Sequence, residues 1–241
     1  MLDIQHLTRR YDSKTAVSDL SITFETGKTY ALLGPNGSGK TTLMKMIAGL
    51  TKQTSGTITL DGVPVGAKTK KHIAYMPTES YFYPYMSIDD AGKYYADFFT
   101  DFDREQYLTM LDRMELNPKD KIRTLSSGMN AKVRLALTLS RDAYVMMFDE
   151  PLNGVDILTR TQVVREIIRS RNAGRTMLIS THLVEELNDF IDVAVFMKDG
   201  VLARIGDRQA LEEKHGSLTN LYLSIYGGEE AQMKHVEAAE V

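Results

Sequence analysis

Apolar and polar positions alternate over the first thirty residues. Leu2 and Ile4 precede a polar turn at 12–14, and Leu20, Ile22 and Phe24 alternate up to a turn at Gly27. A period of two predicts antiparallel strands with one buried face. Residues 30–33 form an unbroken apolar run instead, the pattern of a strand covered on both faces. This run leads into a glycine-rich stretch, after which Leu43, Met44, Ile47 and Leu50 recur at helical spacing and predict a helix over 41–50. Residues 57–60, a turn at Asp61-Gly62 and residues 73–76, closed by Pro77, read as further strand structure. From about 78 to 141 the pattern turns helical, with aromatic clusters at 81–85 and 94–99. Strands return at 144–148, 177–180 and 193–197, the last pairing through Asp199-Gly200 with 201–205. A helical piece over about 208–226 follows, and Gly227-Gly228 opens a polar tail, 227–241, expected to fray. The expectation is an α/β domain over 1–226, interrupted by a helical subdomain at about 79–141.

Composition narrows the function classes. A net charge of −3 argues against a broad phosphate-neutralising surface, so no nucleic-acid partner is expected. The absence of cysteine removes disulfides, thiolate metal sites and a cysteine nucleophile. No apolar run approaches the roughly 18 residues of a membrane-spanning helix, so work at a membrane requires docking onto something already there.

The chemistry is concentrated in three short stretches. Gly34-Pro35-Asn36-Gly37-Ser38-Gly39-Lys40-Thr41 matches G-x-x-x-x-G-K-[ST] in full, between a strand and a helix. Glycines let backbone N–H groups converge on phosphate oxygens; Lys40 reaches the β- and γ-phosphates, and Thr41 offers a hydroxyl to Mg²⁺. The run 144–148 delivers Asp149 and Glu150 at a strand's C-terminal end, beside the phosphate loop in an open α/β sheet. Asp149 is expected to hold Mg²⁺ through water, and Glu150 to polarise the attacking water. Leu125-Ser126-Ser127-Gly128-Met129 precedes Val133, Ala136, Leu137 and Ser140 at helical spacing. Ser126–Gly128 therefore caps a helix whose free N–H groups form a second anion site.

Taken together, these stretches resemble the nucleotide-binding subunit of an ATP-binding cassette (ABC) transporter. Gly34 to Thr42 matches that family's Walker A loop, 125–129 its signature, and 145–150 its Walker B strand. Asn153-Gly154-Val155-Asp156 matches its D-loop, and Ser180-Thr181-His182 its switch-histidine segment. The motifs occur in family order across 2–206. The resemblance implies a P-loop NTPase fold with an N-terminal antiparallel β subdomain and an inserted α-helical subdomain. It implies ATP and Mg²⁺ as ligands, Tyr11 stacking on adenine or serving only as a strand tyrosine, and His182 at the γ-phosphate. In a head-to-tail pair, Ser126, Ser127 and Gly128 of one protomer would complete the site of the other, with Asp156 coupling the two. The implied partners are a membrane permease, contacted near 78–100, and a second cassette, identical or paralogous. The subunit would then lie in the cytoplasm against the inner face of the membrane. Residues 217–223 and the Ser-x-Gly-Met signature resemble exporter-type subunits. A non-transport relative acting on ribosomes or DNA, or a signalling cassette, is the alternative.

Two motifs, the signature and the Q-loop, depart from the family pattern. Ser127 and Met129 replace a glycine and a glutamine of the signature. Thr78, followed by Glu79, stands where the family carries the Q-loop glutamine, and is too short to copy its reach to Mg²⁺.

Overall fold

The computed structural model describes residues 1–172, 174–187 and 190–227; the expected polar tail beyond Gly227 lies outside them. The chain opens with a hairpin, β1 (Leu2–Tyr11) and β2 (Lys14–Phe24), then runs through β3 (Thr29–Leu33) and the glycine-rich loop into α1 (Lys40–Ile47). β4 (Ser55–Leu60), β5 (Val63–Pro64) and β6 (Ile73–Met76) follow. Three helices, α2 (Ile88–Phe98), α3 (Arg104–Arg113) and α4 (Ser127–Leu139), separate β6 from β7 (Val145–Asp149). The chain then forms α5 (Ile157–Arg169), β8 (Thr176–Thr181), β9 (Val193–Lys198), β10 (Val201–Asp207), α6 (Arg208–His215) and α7 (Leu218–Tyr226).

The strands make two sheets. An antiparallel sheet has the order β2-β1-β4-β5, and a six-stranded sheet the order β10-β9-β3-β8-β7-β6, parallel except for β10. β3, β7 and β8 are buried along their whole length, which explains their unbroken apolar runs. Their period of two divides each strand between two cores. Tyr30, Leu32 and Met147 pack with α1 and the antiparallel sheet, whereas Ala31, Leu33 and Phe148 pack with the inserted helices. Parallel pairing places Leu33 opposite Thr181 and Asp149 opposite Ser180. The C-terminal ends of β3, β8 and β7 therefore meet on one rim, the usual ligand edge of an open α/β sheet.

Four local outcomes differ from the pattern-based expectation. Helix α1 stops at Ile47 because Gly49 turns left-handed (φ +67°), leaving Leu50 exposed beyond the helix. The tyrosine-rich segment 81–85 is a loop; helix begins only after Ser87, whose hydroxyl accepts from Asp90 N (3.1 Å) while Asp90 accepts from Ser87 N (2.8 Å). The final helical piece is two helices, broken at Gly216 (φ +79°) and restarted by the Ser217 cap. Helix α5 carries no clear apolar period in the sequence. Its inner face alternates Val163 and Ile167 with the buried polar residues Thr159 and Glu166, which dilutes the apolar period.

Candidate active site

The loop from Gly34 to Gly39 leaves β3 through backbone that only glycine fits well. Gly39 has φ +105°, and a Cβ there would lie 2.5 Å from the Ala16 carbonyl oxygen; one on Gly34 would lie 2.5 Å from Met197 O. Gly39 caps α1 without a side chain, and the first turn carries no acidic residue, so the helix presents its N–H groups uncovered. Lys40 Nζ donates to Gly34 O (2.7 Å) and Pro35 O (3.2 Å), which holds the ammonium at the mouth of the loop. Burial pushes its pKa down, against the pull of Glu150 and Asp149. Ser38 Oγ, also buried, has no hydrogen-bond partner among the described residues. A cleft of about 370 Å³ runs past this loop, lined also by Tyr11, Lys14, Ala16, Thr41, Thr42, Thr78, Glu150 and Asn153.

Asp149 ends β7 fully buried and is held on every side. Its Oδ1 accepts from Thr41 Oγ1 (3.0 Å) and Ser180 Oγ (2.6 Å), and its Oδ2 from Tyr75 OH (3.0 Å). Burial first, and then the Asp149 charge, raise the Tyr75 phenol above its ordinary pKa. Thr41 and Asp149 thus stand side by side as hard oxygen donors. Among the described residues no cluster of three His, Cys, Asp or Glu side chains could cage a metal. Such a pair fits an ion of the Mg²⁺ type, which keeps its waters and binds mainly through substrate phosphates.

Glu150 lies next in the chain, in left-handed backbone (φ +48°) that costs about 1–3 kcal/mol for a side-chain-bearing residue. Ser180 holds it there: Glu150 N donates to Ser180 Oγ (2.9 Å) and Ser180 O (3.2 Å). Its Oε2 sits 2.9 Å from His182 Nδ1. Oε1 lies 3.4 Å from Lys40 Nζ, an ion-pair separation whose geometry is too skewed for a hydrogen bond. With Glu150 ionised, His182 carries its hydrogen on Nδ1; donation to a further acceptor through Nε2 then requires the imidazolium.

Tyr11 is exposed at the cleft edge with the Arg9 guanidinium over one ring face, 4.2 Å from the centroid. Ser126, Ser127 and Gly128 do not line this cleft. Ser126 Oγ caps α4 by accepting from Met129 N (3.2 Å). Gly128 is buried, and a Cβ there would meet Thr159 Oγ1 at 3.0 Å. Thr159 in turn donates its N–H (3.0 Å) and hydroxyl (2.7 Å) to Asp156, the cap of α5, and those bonds hold the Asp156 carboxyl below its ordinary pKa. The signature turn thus packs against the Asp156–Thr159 start of α5, a link that sequence spacing did not reveal.

Thr78 lines the cleft, whereas Glu79 is exposed and does not. The Thr78 hydroxyl donates to the main-chain carbonyl of Asp149 (3.1 Å). Tyr75, Arg134 and the Asp149-binding role of Ser180 escaped sequence reading. The one available signal was parity: Tyr75 alternates with the apolar positions of β6 and so faces away from Ala74 and Met76.

A glycine-rich loop running from β3 into a helix, with an acid pair at the end of the parallel strand β7 on the far side of β8, defines a P-loop nucleoside-triphosphatase cassette. Residues 17–153 match the family model described as ABC transporter, and the chain belongs to that family, whose cassettes bind and hydrolyse ATP. It is 29% identical over 243 residues to the linearmycin resistance ATP-binding protein LnrL of Bacillus subtilis (strain 168), covering 96% of this chain and 77% of the relative. It is 32% identical over 203 residues to the lantibiotic transport ATP-binding protein SrtF of Streptococcus pyogenes, covering 83% and 88%. Its fold matches a dimeric post-hydrolysis structure of the ATP-binding cassette MJ0796 bound to ADP and Pi, with a TM-score of 0.77 at 20% identity, over 86% and 98% of the two chains.

Proposed function

We propose that the chain, with residues 1–226 as its cassette domain, is the ATP-hydrolysing subunit of an exporter and drives a separate membrane permease by closing head to tail on a second cassette. The observation that carries this reading is the separation of the two anion sites. The phosphate loop opens into one cleft, while the exposed Ser126–Ser127 tip of α4 faces elsewhere. A second chain is what would bring such a tip over the nucleotide.

In this mechanism the N–H groups from Gly37 to Thr42, with Lys40, hold the β- and γ-phosphates, and Tyr11 stacks on the base. Thr41 and Asp149 would hold Mg²⁺, which supplies charge neutralisation at the phosphates when bound. Glu150, aimed by its left-handed backbone and by Ser180, orients and polarises the attacking water. His182 keeps its Nδ1–H on Glu150 and, as imidazolium, donates Nε2–H to the transferring phosphoryl group. Ser126 and the N–H groups after it approach the partner's triphosphate, and Asp156 carries that contact toward α5.

No helix among the described residues is long and apolar enough to cross a membrane. With a separate permease as its partner, the subunit would sit at the cytoplasmic face, with the exposed aromatics Tyr83, Tyr85, Tyr94 and Phe98 toward the permease. The linearmycin and lantibiotic names of two relatives support export.

Glu150→Gln removes the polarising carboxylate while preserving shape. With ATP and Mg²⁺ this variant is expected to elute as a stable dimer, and wild-type specific activity is expected to fall on dilution. A monomeric Glu150→Gln under saturating ATP refutes the closure mechanism. Purification from detergent extracts separates the alternatives: a polytopic membrane protein supports transport, and ribosomes or DNA contradict it.

A further inference from the structure

The peptide unit joining Asp149 to Glu150 is gripped at both ends. Its N–H donates to Ser180, and its C=O accepts from the Thr78 hydroxyl at 3.1 Å. Because a peptide unit is planar, fixing both ends fixes the direction in which Glu150 leaves it. Thr78 is itself fixed from α4. Arg134 Nη1 donates to the carbonyls of Pro77, at 2.5 Å, and of Thr78.

Arg134 is an uneconomical residue if packing were its whole purpose. It is 7% exposed, forms no ion pair among the described residues, and its Nε has no hydrogen-bond partner. A buried guanidinium without a carboxylate carries a desolvation penalty that an apolar side chain of similar size avoids. What it gains in return is a single Nη1 amino group that holds two successive main-chain carbonyls. Those carbonyls belong to the segment whose hydroxyl touches Asp149. Arg134 lies eight residues beyond Ser126 on α4, about 12 Å along the axis at 1.5 Å per residue.

From this geometry we propose that Arg134 and Thr78 are positioning residues, a relay that ties the orientation of α4 to the Asp149–Glu150 peptide plane and thereby aims Glu150. The relay uses main-chain carbonyls where the family resemblance expected a glutamine side chain reaching the metal. It deepens the proposed function, since it rests on Glu150 as the water-polarising group.

The test compares Thr78→Val, which keeps shape and loses the hydroxyl, with Thr78→Ser, which restores it. For Thr78→Val the expected result is a fall in kcat of about tenfold. KM and the affinity for a fluorescent ATP analogue should stay within about twofold of wild type, and Thr78→Ser should recover most of the rate. Arg134→Met should reproduce the kcat loss, and the double variant should be no slower than the slower single one, as for two members of one network. A Thr78→Val rate within twofold of wild type, or losses that multiply in the double variant, overturns the relay. Should Arg134→Met fail to fold, the Thr78 pair decides alone. Amide hydrogen exchange at Glu150, measured without nucleotide, separates this proposal from the functional one. Faster exchange in Thr78→Val supports the relay even if the wild type hydrolyses no ATP, and unchanged exchange refutes it.

Discussion

Ser180→Ala tests the centre of the site. The Ser180 hydroxyl is fully buried, donates to Asp149 Oδ1 at 2.6 Å and accepts from Glu150 N at 2.9 Å. A hydrogen bond to a charged partner contributes about 1.5–3 kcal/mol and a neutral one about 1. The second loss is softened because Glu150 N retains the Ser180 carbonyl at 3.2 Å. The expected destabilisation is therefore about 2–3 kcal/mol. With a urea m-value near 3 kcal/mol/M, the unfolding midpoint falls by about 1 M. ATP affinity should hold within about threefold, because the phosphate loop touches Ser180 only through Thr41 and Asp149. The rate should fall by about 10- to 100-fold, because the strained Glu150 backbone loses its best anchor. Equilibrium urea unfolding and steady-state ATPase assays measure the two effects separately. A midpoint within about 0.2 M of wild type, together with an unchanged kcat, refutes the view that Ser180 holds both acids.

Gly39→Ala places a Cβ 2.5 Å from a main-chain oxygen at φ +105°; it should cost at least about 2 kcal/mol and abolish binding of a fluorescent ATP analogue, and binding at wild-type affinity contradicts it. Asp156 has its pKa lowered by Thr159, so its ionised form stabilises the fold above the unfolded carboxyl value near 3.8, and this is lost as pH falls through the lower folded value. Asn caps a helix as well without titrating, so Asp156→Asn should flatten the acid limb of a stability–pH curve below pH 4; identical limbs contradict this. The single Tyr226 O–H is shared between Met197 O (2.8 Å) and the more distant Leu33 O (3.2 Å), the carbonyl of the residue before Gly34. Tyr226→Phe should lower stability by about 1 kcal/mol and weaken ATP binding several-fold, measured by urea unfolding and analogue titration; a variant identical to wild type in both removes α7 as a support of the loop.

Much of this molecule was legible because its information is local. The phosphate loop needs glycines, a lysine and a threonine within eight covalently linked positions, and the chain itself guarantees their proximity. The Ser126 cap, the alternation of β1 and β2, and the buried runs of β3 and β7 follow likewise from neighbours in sequence. Long-range choices were not legible. Thr41 meets Asp149 across 108 positions, and Glu150 meets Ser180 across 30, because β8 is inserted between β3 and β7. No period of apolar residues specifies that strand order, since each strand is equally apolar to any neighbour. The same holds for Gly128. Its place in the signature suggested backbone approach to a phosphate, and tertiary packing also uses its missing Cβ to seat Thr159. Residue type and spacing determined which groups this protein brings to its chemistry. Only the folded sheet decided which of them touch, because contact between distant residues depends on strand order and on helices packed across it.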